Sequence, residues 1–400
     1  MTAPGRLKLD LVLRGIRIDQ SVPQHMNLLR PASHDARART VELVLPQETW
    51  VTAPVDDTGE APYRLAAEGS RFVVHHDEEG ASETFEVRAV PPPRFYGRTT
   101  SQGTPMRRIA TVQGSHLVVH PGAACGFSVR GLPCRFCVEG ARAPADRETA
   151  SVSEVLEVVR AGFDEGVVET VYVNSAAYDA EDGGIGFVAP YVQAIRRHFD
   201  TLIATQLHPP RSNQWIDRTY AMGVDALSYN LEIYDPDILN RQCIGRMRYI
   251  GRDRYLESLA YAASIFPSGT VWTDLVLGLE PPASTIAGID ALAASGVVPV
   301  VAIVRGEHPL PVSAEIGPVL AHLYQTVKAR GINMGWVRDL ALGITPLEAR
   351  HFAGDDARIA VTVQQLTRSR LGALAARQLA RFRRRLRVNK VGESFEAARL

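Results

Sequence analysis

The 400-residue chain is 46% hydrophobic and 22% charged, which excludes wholesale disorder and supplies core material for one large domain plus a smaller one, or for two ordinary domains. Lys and Arg together number 44, as do Asp and Glu, so the whole-molecule field offers no general attraction to nucleic acid or anionic membrane, and charge arguments must be local. The longest apolar run, Val297 to Val304, contains Pro299 and is far short of the roughly 20 residues that span a bilayer. The N-terminus reads without an apolar signal core, so a cytoplasmic location is expected.

From Leu7 to about Val112 the chain shows short alternating runs: Leu7 to Ile18, Thr40 to Leu45, Arg71 to His75 and Thr84 to Val90. Turn-rich acidic segments, Asp56 to Glu60 and Asp77 to Gly80, separate them, which predicts a small antiparallel β domain over residues 1–105. Pro91 to Pro93 and Gly97 to Pro105 mark the exit from it. Over residues 106–331 strand-like runs alternate with helical periodicity. Strands are expected at His116 to His120, Val168 to Asn174, Leu202 to Leu207, Ala226 to Glu232, Val271 to Leu279 and Val298 to Val304. Helices are expected at Ser151 to Gly166, Val188 to Phe199, Asn213 to Met222, Asp253 to Ile265, Ser284 to Ala294 and Glu315 to Ala329. Six β/α units in order imply parallel strands with right-handed crossovers, an α/β fold best described as a partial (β/α)6 TIM-type barrel. A doubly wound open sheet gives the same alternation. In the barrel, functional groups collect at the carboxyl ends of the strands.

Residues 332–400 form a C-terminal extension in which Arg368 to Lys390 carries nine basic residues and no acidic one. Leu371, Leu374, Leu379, Phe382 and Leu386 interleave with the charges and predict a basic amphipathic helix. Its apolar side is expected to pack on the body or on a partner, with an anionic partner such as RNA or a membrane surface as the alternative.

Of four cysteines, three form C-x8-C-x2-C: Cys125, Cys134 and Cys137, in a Gly-rich loop just after the first barrel strand. Such clustering suits a metal or cluster site in a reducing compartment better than a disulfide framework. Three thiolates can hold three irons of a [4Fe-4S] cube and leave the fourth iron for an exogenous partner. The competing reading is a structural zinc site completed by His116 or His120.

The run Cys134-Arg135-Phe136-Cys137 resembles the second half of the C-x3-C-x-Φ-C signature of the radical S-adenosylmethionine (radical SAM) superfamily, with Phe136 as its aromatic residue. The first spacing is eight residues instead of three, a longer loop whose closure entropy rises only slowly with length. Further along, Val171 to Tyr178 looks like the small-residue motif of biotin synthase relatives, placing Ser175 and Ala176 near the methionyl amino group. Ser228-Tyr229-Asn230-Leu231-Glu232 is similar to their ribose-binding sequence, with Asn230 and Glu232 two apart on a strand and so on one face. Ser258 takes the place of a SAM-contacting arginine, with Arg252 and Arg254 nearby. Asp274 to Glu280 resembles the G-x-I-x-G-x-x-E segment, which sets Val276 and Gly278 near adenine.

The resemblance implies SAM chelated to the open iron and cleaved, by one electron from a donor such as flavodoxin or ferredoxin, to a 5′-deoxyadenosyl radical that abstracts hydrogen from a small-molecule substrate. Substrate contacts are expected from His208 and Arg305, with Gln206, Tyr178, Glu307 and His308 as further candidates at strand ends. Cys243, flanked by Arg241, Arg246 and Arg248, is a candidate hydrogen donor or substrate contact. As it is the only remaining cysteine, a second cluster with three or four cysteine ligands is not available. Rearrangement, fragmentation, dehydrogenation or bond formation are the reaction classes left. Two other classes stand beside this one: a zinc-stabilised scaffold that binds an anionic partner through the basic helix, and a metal-free barrel hydrolase or lyase.

Overall fold

Two sheets organise the chain in the computed structural model, which describes residues 3–31, 39–78, 81–122, 125–137, 148–175, 181–303 and 313–398. Before the first sheet comes a departure from expectation. Leu7 to Ile18 does not begin as a strand, because Pro4–Arg14 is helix α1, opened by a proline in its first turn and ended at Gly15 with φ 76°. Leu7, Leu9 and Leu11 alternate along the chain. Leu7 with Leu11, and Lys8 with Val12, also repeat every four residues, and these are buried where α1 packs on Thr49–Pro54. A short apolar run satisfies both periods, and packing decides between them.

The first sheet contains β1 (Arg17–Ile18), β2 (Leu29–Pro31), β3 (Arg39–Leu45), β4 (Thr49–Pro54), β5 (Tyr63–Glu68), β6 (Arg71–Glu78) and β7 (Ala81–Val90). Its order is β1-β5-β6-β7-β3-β2, with β4 pairing β3, and every pairing except β1 with β5 is antiparallel.

The second sheet holds β8 (Ala110–Gln113), β9 (His116–Val119), β10 (Thr170–Asn174), β11 (Leu202–Gln206), β12 (Ala226–Ser228), β13 (Val271–Leu277), β14 (Val298–Ile303) and β15 (Gly343–Ile344). Its spatial order is its sequence order. From β9 to β14 each neighbouring pair is parallel, while β8 and β15 flank them as antiparallel edges. A doubly wound sheet reverses its strand order at a switch point, whereas this one progresses in a single direction, as a curled half-barrel does. The fold is therefore the α/β partial barrel that the alternation predicts.

The helices after α1 are α2 (Met106–Ile109), α3 (Gly126–Val129), α4 (Val152–Asp164), α5 (Ile185–His198), α6 (Gln214–Ala221), α7 (Pro236–Gln242), α8 (Ile244–Tyr249) and α9 (Arg252–Ile265). They are followed by α10 (Pro282–Ala294), α11 (Ser313–Ala329), α12 (Pro346–Ala349), α13 (Arg358–Arg368) and α14 (Arg370–Ala398). Helix α4 starts where Ser151 and Glu154 close a reciprocal capping box, which is why its boundary was readable from sequence.

The segment after α11 folds back under the amino ends of the strands. Ser115 Oγ donates to Asp339 (2.7 Å), and His116 Nε2 lies 2.8 Å from the Arg338 carbonyl, at the opposite end of β9 from the cysteines. Gly114, at φ 61°, passes so close to Asp339 that a Cβ there would sit 1.8 Å from its carbonyl oxygen. The same return reaches α1. The fully buried Lys8 ammonium donates to the Leu340 carbonyl (2.6 Å) and pairs with Glu348 (2.9 Å). Between the sheets, the buried Glu42 carboxylate pairs with Arg30 and accepts from the Gly114 amide (2.7 Å), while Arg30 also donates to the Val112 carbonyl (3.2 Å).

Removing one member of a buried ion pair leaves the other charge uncompensated. Lys8→Ala is therefore expected to cost about 3 kcal/mol or more, read as a lowered urea midpoint. A loss within the range of a surface substitution would show that Lys8 does not tie the chain's two ends together.

Candidate functional site

The carboxyl ends of β9 to β14 carry the residues that the sequence singles out. Cys125 caps α3, its carbonyl accepting from Val129 N (3.0 Å). Cys134 is buried, and Cys137 N donates to the Cys134 carbonyl (3.1 Å), so the last two cysteines share one turn with Phe136 between them, half-buried against the core. None of the three is in a disulfide. The loop is fastened to the body by Arg135 N, which donates to the Gln242 carbonyl (2.9 Å).

Gln242 immediately precedes Cys243, and that residue also meets the motif. Cys243 is fully buried and its thiol is hydrogen-bonded to Cys134. The contact lowers the Cys134 thiol pKa, and the same contact with burial raises that of Cys243. The structure thus places Cys243 beside a candidate cluster ligand.

Beside them lies a side chain that sequence reasoning noted only as a neighbour of Cys243. Arg246, on α8, donates to the Asn230 carbonyl (2.7 Å) and pairs with Glu232 (2.8 Å). Its charge also bears on both cysteines. Burial raises the Glu232 pKa, and Arg246 opposes that rise. The strand here is shorter than expected. β12 stops at Ser228 because the next residues bond sideways: Leu231 N donates to Thr273 Oγ1 (2.8 Å) and the Asn230 carbonyl turns to Arg246. Glu232 rejoins β13 in the left-handed region at φ 69°, its N–H donating to Asp274 O and its carbonyl accepting from Val276 N, both at 2.8 Å. Asn230 and Glu232 are therefore set by these bonds instead of by strand alternation.

Asn230 is held from two sides. Ser228 Oγ donates to its side-chain oxygen, and its amide donates to Asp274 Oδ2 (2.7 Å). Asp274 stands where the family segment has its first glycine. Burial and the nearby Glu232 push its carboxyl up to about 7, against the pull of the Asn230 bond. Val276 is buried two residues on, and Gly278 follows at φ 89°, a conformation that favours glycine.

His208 packs edge-on against Phe127 (5.1 Å between ring centroids), with Nδ1 3.4 Å from the Tyr255 hydroxyl. Burial, aided by the Arg246 charge, lowers its pKa to about 3, so it is neutral at physiological pH. One turn along α9 from Tyr255, the Ser258 hydroxyl is buried with no hydrogen-bond partner among the described residues. Arg252 and Arg254 are both engaged: Arg252 donates to Tyr234 O (2.8 Å) and lies over the Tyr234 ring, and Arg254 donates to Pro210 O (2.6 Å) and Asn213 (2.8 Å). Ser175 is buried at the end of β10, its N–H donating to Gln206 O (3.2 Å). Ala176, Tyr178, Arg305, Glu307 and His308 lie outside the described residues.

Sequence reasoning missed the barrel interior. Tyr172 on β10 and Trp272 on β13 have ring centroids 5.8 Å apart although two strands separate them, so both rings point into the lumen. Trp336, from the segment that folds under the strands, stacks near Trp272 (5.9 Å) and closes the floor. Above them Tyr172 donates to Gln206 Oε1 (3.1 Å). Tyr172, Trp272 and Asp274 occupy alternate strand positions, a signal present in the sequence but indistinguishable there from ordinary core.

Among the described residues no group of three or more His, Cys, Asp or Glu side chains is gathered round one point to hold a metal ion. The donor set still fits an iron-sulfur cluster in kind: three cysteines outside any disulfide in one loop at the carboxyl end of a barrel strand, two of them in a single turn. Of the two alternative zinc ligands, His116 and His120, the first is bonded at the far end of β9.

The raised Asp274 carboxyl has a stability consequence. Between about pH 4 and 7 the folded chain holds a proton there that the unfolded chain has released, so stability falls as pH rises through that window. Asp274→Asn removes this dependence. The stability difference is expected to move in the variant's favour by on the order of 2–4 kcal/mol between pH 5 and 8, measured by urea unfolding. A difference independent of pH would contradict the burial of this carboxyl.

No family model matches the chain. Bacteriochlorophyllide c C-7(1)-hydroxylase of Chlorobaculum limnaeum is 23% identical over 201 residues, covering 45% of this chain and 50% of that protein, so the chain spans about half the length of the curated relative it matches. Among solved structures, methylornithine synthase aligns with a TM-score of 0.41 at 14% identity, over 54% of this chain and 63% of that one. A radical SAM methyltransferase from Sphaerobacter thermophilus aligns with a TM-score of 0.38 at 13% identity, over 68% and 75%. The chain is thus similar over about half its length to this hydroxylase, and its cysteine motif stands at the carboxyl edge of a parallel half-barrel.

Proposed function

We propose that this enzyme holds a [4Fe-4S] cluster on Cys125, Cys134 and Cys137, binds SAM along the carboxyl ends of the strands, and abstracts hydrogen from a small molecule in the half-barrel lumen. The observation that carries this is the meeting of the three-cysteine loop with the polar groups of β12 and β13 through Arg246 and Cys243. Bound together, the cluster and SAM supply one-electron cleavage of the sulfonium to a hydrogen-abstracting 5′-deoxyadenosyl radical, with flavodoxin or ferredoxin as the class of electron donor.

The chain's own groups position and enclose. Asn230, fixed by Ser228 and Asp274, offers its amide to the ribose, and Glu232, aligned by Arg246, is the carboxylate partner for its hydroxyls. Ser175 and Ala176 serve the methionyl end, with Ser258, whose hydroxyl has no partner among the described residues, available to the carboxylate. Val276 and Gly278 give the adenine a flat, close surface. Phe136 shields the cluster loop. The Trp272 and Trp336 floor keeps water from entering the lumen behind the substrate, and Tyr172 with Gln206 presents polar contacts within it. In this reading Cys243, beside Cys134, adjusts the cluster, His208 supports the loop through Phe127, and Arg305 meets an anionic part of the substrate. The hydroxylase relative supports chemistry at a carbon centre. Rearrangement, fragmentation, dehydrogenation and bond formation all remain within this reading, as does a cytoplasmic setting.

Anaerobic reconstitution is expected to give roughly four irons per chain, and dithionite with SAM is expected to release 5′-deoxyadenosine. Cys137→Ala is expected to lose both. Protein that takes up iron without cleaving SAM would reduce the reading to cluster binding, and colourless protein carrying one zinc would replace it with the scaffold reading.

A further inference from the structure

The C-terminal helices present their apolar residues outward. On α13, Ile359, Val363 and Leu366 follow the i, i+4, i+7 spacing of one helix face, and all three are exposed, Ile359 by 83%. On α14, Leu371, Leu374, Leu379 and Phe382 are exposed as well, Leu371 by 82% and Phe382 by 59%. Of the two expectations for this side, packing on the body or on a partner, the first is thus reversed. The less exposed face of α14 is the one carrying Ala373, Ala376, Arg377 and Ala380. Arg377 and Arg381 anchor the helix through Asp200 (3.7 and 2.8 Å), and α14 lies against α6.

At roughly 3.6 residues per turn, Leu371, Ala375, Leu379 and Phe382 fall on one arc, which faces away from the anchored side. Arg381 and Arg385 border it on one edge and Arg383 on the other, and Arg383 and Arg385 are exposed. An apolar centre edged by guanidinium groups suits a boundary between hydrocarbon and anionic headgroups, where apolar side chains sink and arginines stay at the charged layer. It does not suit a second copy, which would bring the same arginines face to face. Between Arg368 and Lys390 the nine cations are opposed by no acidic residue, so the local charge stands apart from the neutral whole. Among the described residues no helix is long and apolar enough to cross a membrane, so contact would be with its surface.

We infer that α13 and α14 form a peripheral docking surface for an anionic lipid bilayer, with Leu371, Leu379 and Phe382 inserted and Arg383 and Arg385 on the headgroups. The test is sedimentation of the full chain with vesicles of phosphatidylcholine alone or with phosphatidylglycerol added. Binding is expected with the anionic vesicles only and should weaken as salt is raised. Each of Arg383→Gln and Arg385→Gln is expected to weaken it about fivefold, the equivalent of ~1 kcal/mol per surface cation. Leu371→Ser with Phe382→Ser is expected to abolish it while leaving the circular dichroism spectrum and melting temperature unchanged. Three results would overturn the inference: no binding to anionic vesicles, a dimer in solution that the Leu371 and Phe382 changes dissolve, or RNA binding that depends on the arginines but not on the apolar pair.

Discussion

The barrel mouth is arranged round one buried guanidinium. Arg246 is tied to the Asn230 carbonyl and the Glu232 carboxylate, and its field reaches Cys134, Cys243 and His208. A buried cation without partners is expensive, so the groups round it are constrained to supply oxygens and to keep other cations away. That constraint places the Glu232 carboxylate beside Arg246 where burial alone favours the protonated form, and adds to the burial that keeps His208 neutral. Removing the arginine would leave the Glu232 carboxylate without its ion-pair partner.

Much of the architecture was legible because its signals are local. The helix after Ser151 announces itself through a capping box, and the parallel strands through apolar runs bounded by turns. Elements whose form depends on distant partners were not legible. The segment Leu7 to Val12 obeys two periodicities at once, and only its packing on β4 selects the helix. The end of β12 is decided by Thr273 and Arg246, which lie 42 and 16 residues away from their partners in the chain.

The site divides the same way. Residues with distinctive chemistry or spacing, such as the cysteine triplet and Asn230 with Glu232, could be named from sequence. Arg246, Asp274 and the Tyr172, Trp272 and Trp336 cluster could not, since each becomes significant only when strands far apart in sequence face one lumen. The outward turn of the α14 stripe was equally hidden. An amphipathic pattern states that a helix has two faces, and only the anchoring of Arg377 and Arg381 on Asp200 says which face is left outside.

The link between Lys8 and Glu348 joins residues 340 positions apart. During synthesis Lys8 emerges long before its carboxylate exists, so α1 cannot settle into its final burial until Glu348 has left the ribosome. Any piece that stops after α11 would carry a permanently bare ammonium at the base of the first sheet. The segment after α11 thus acts as a latch, and the final burial of α1 is a late event instead of an early one.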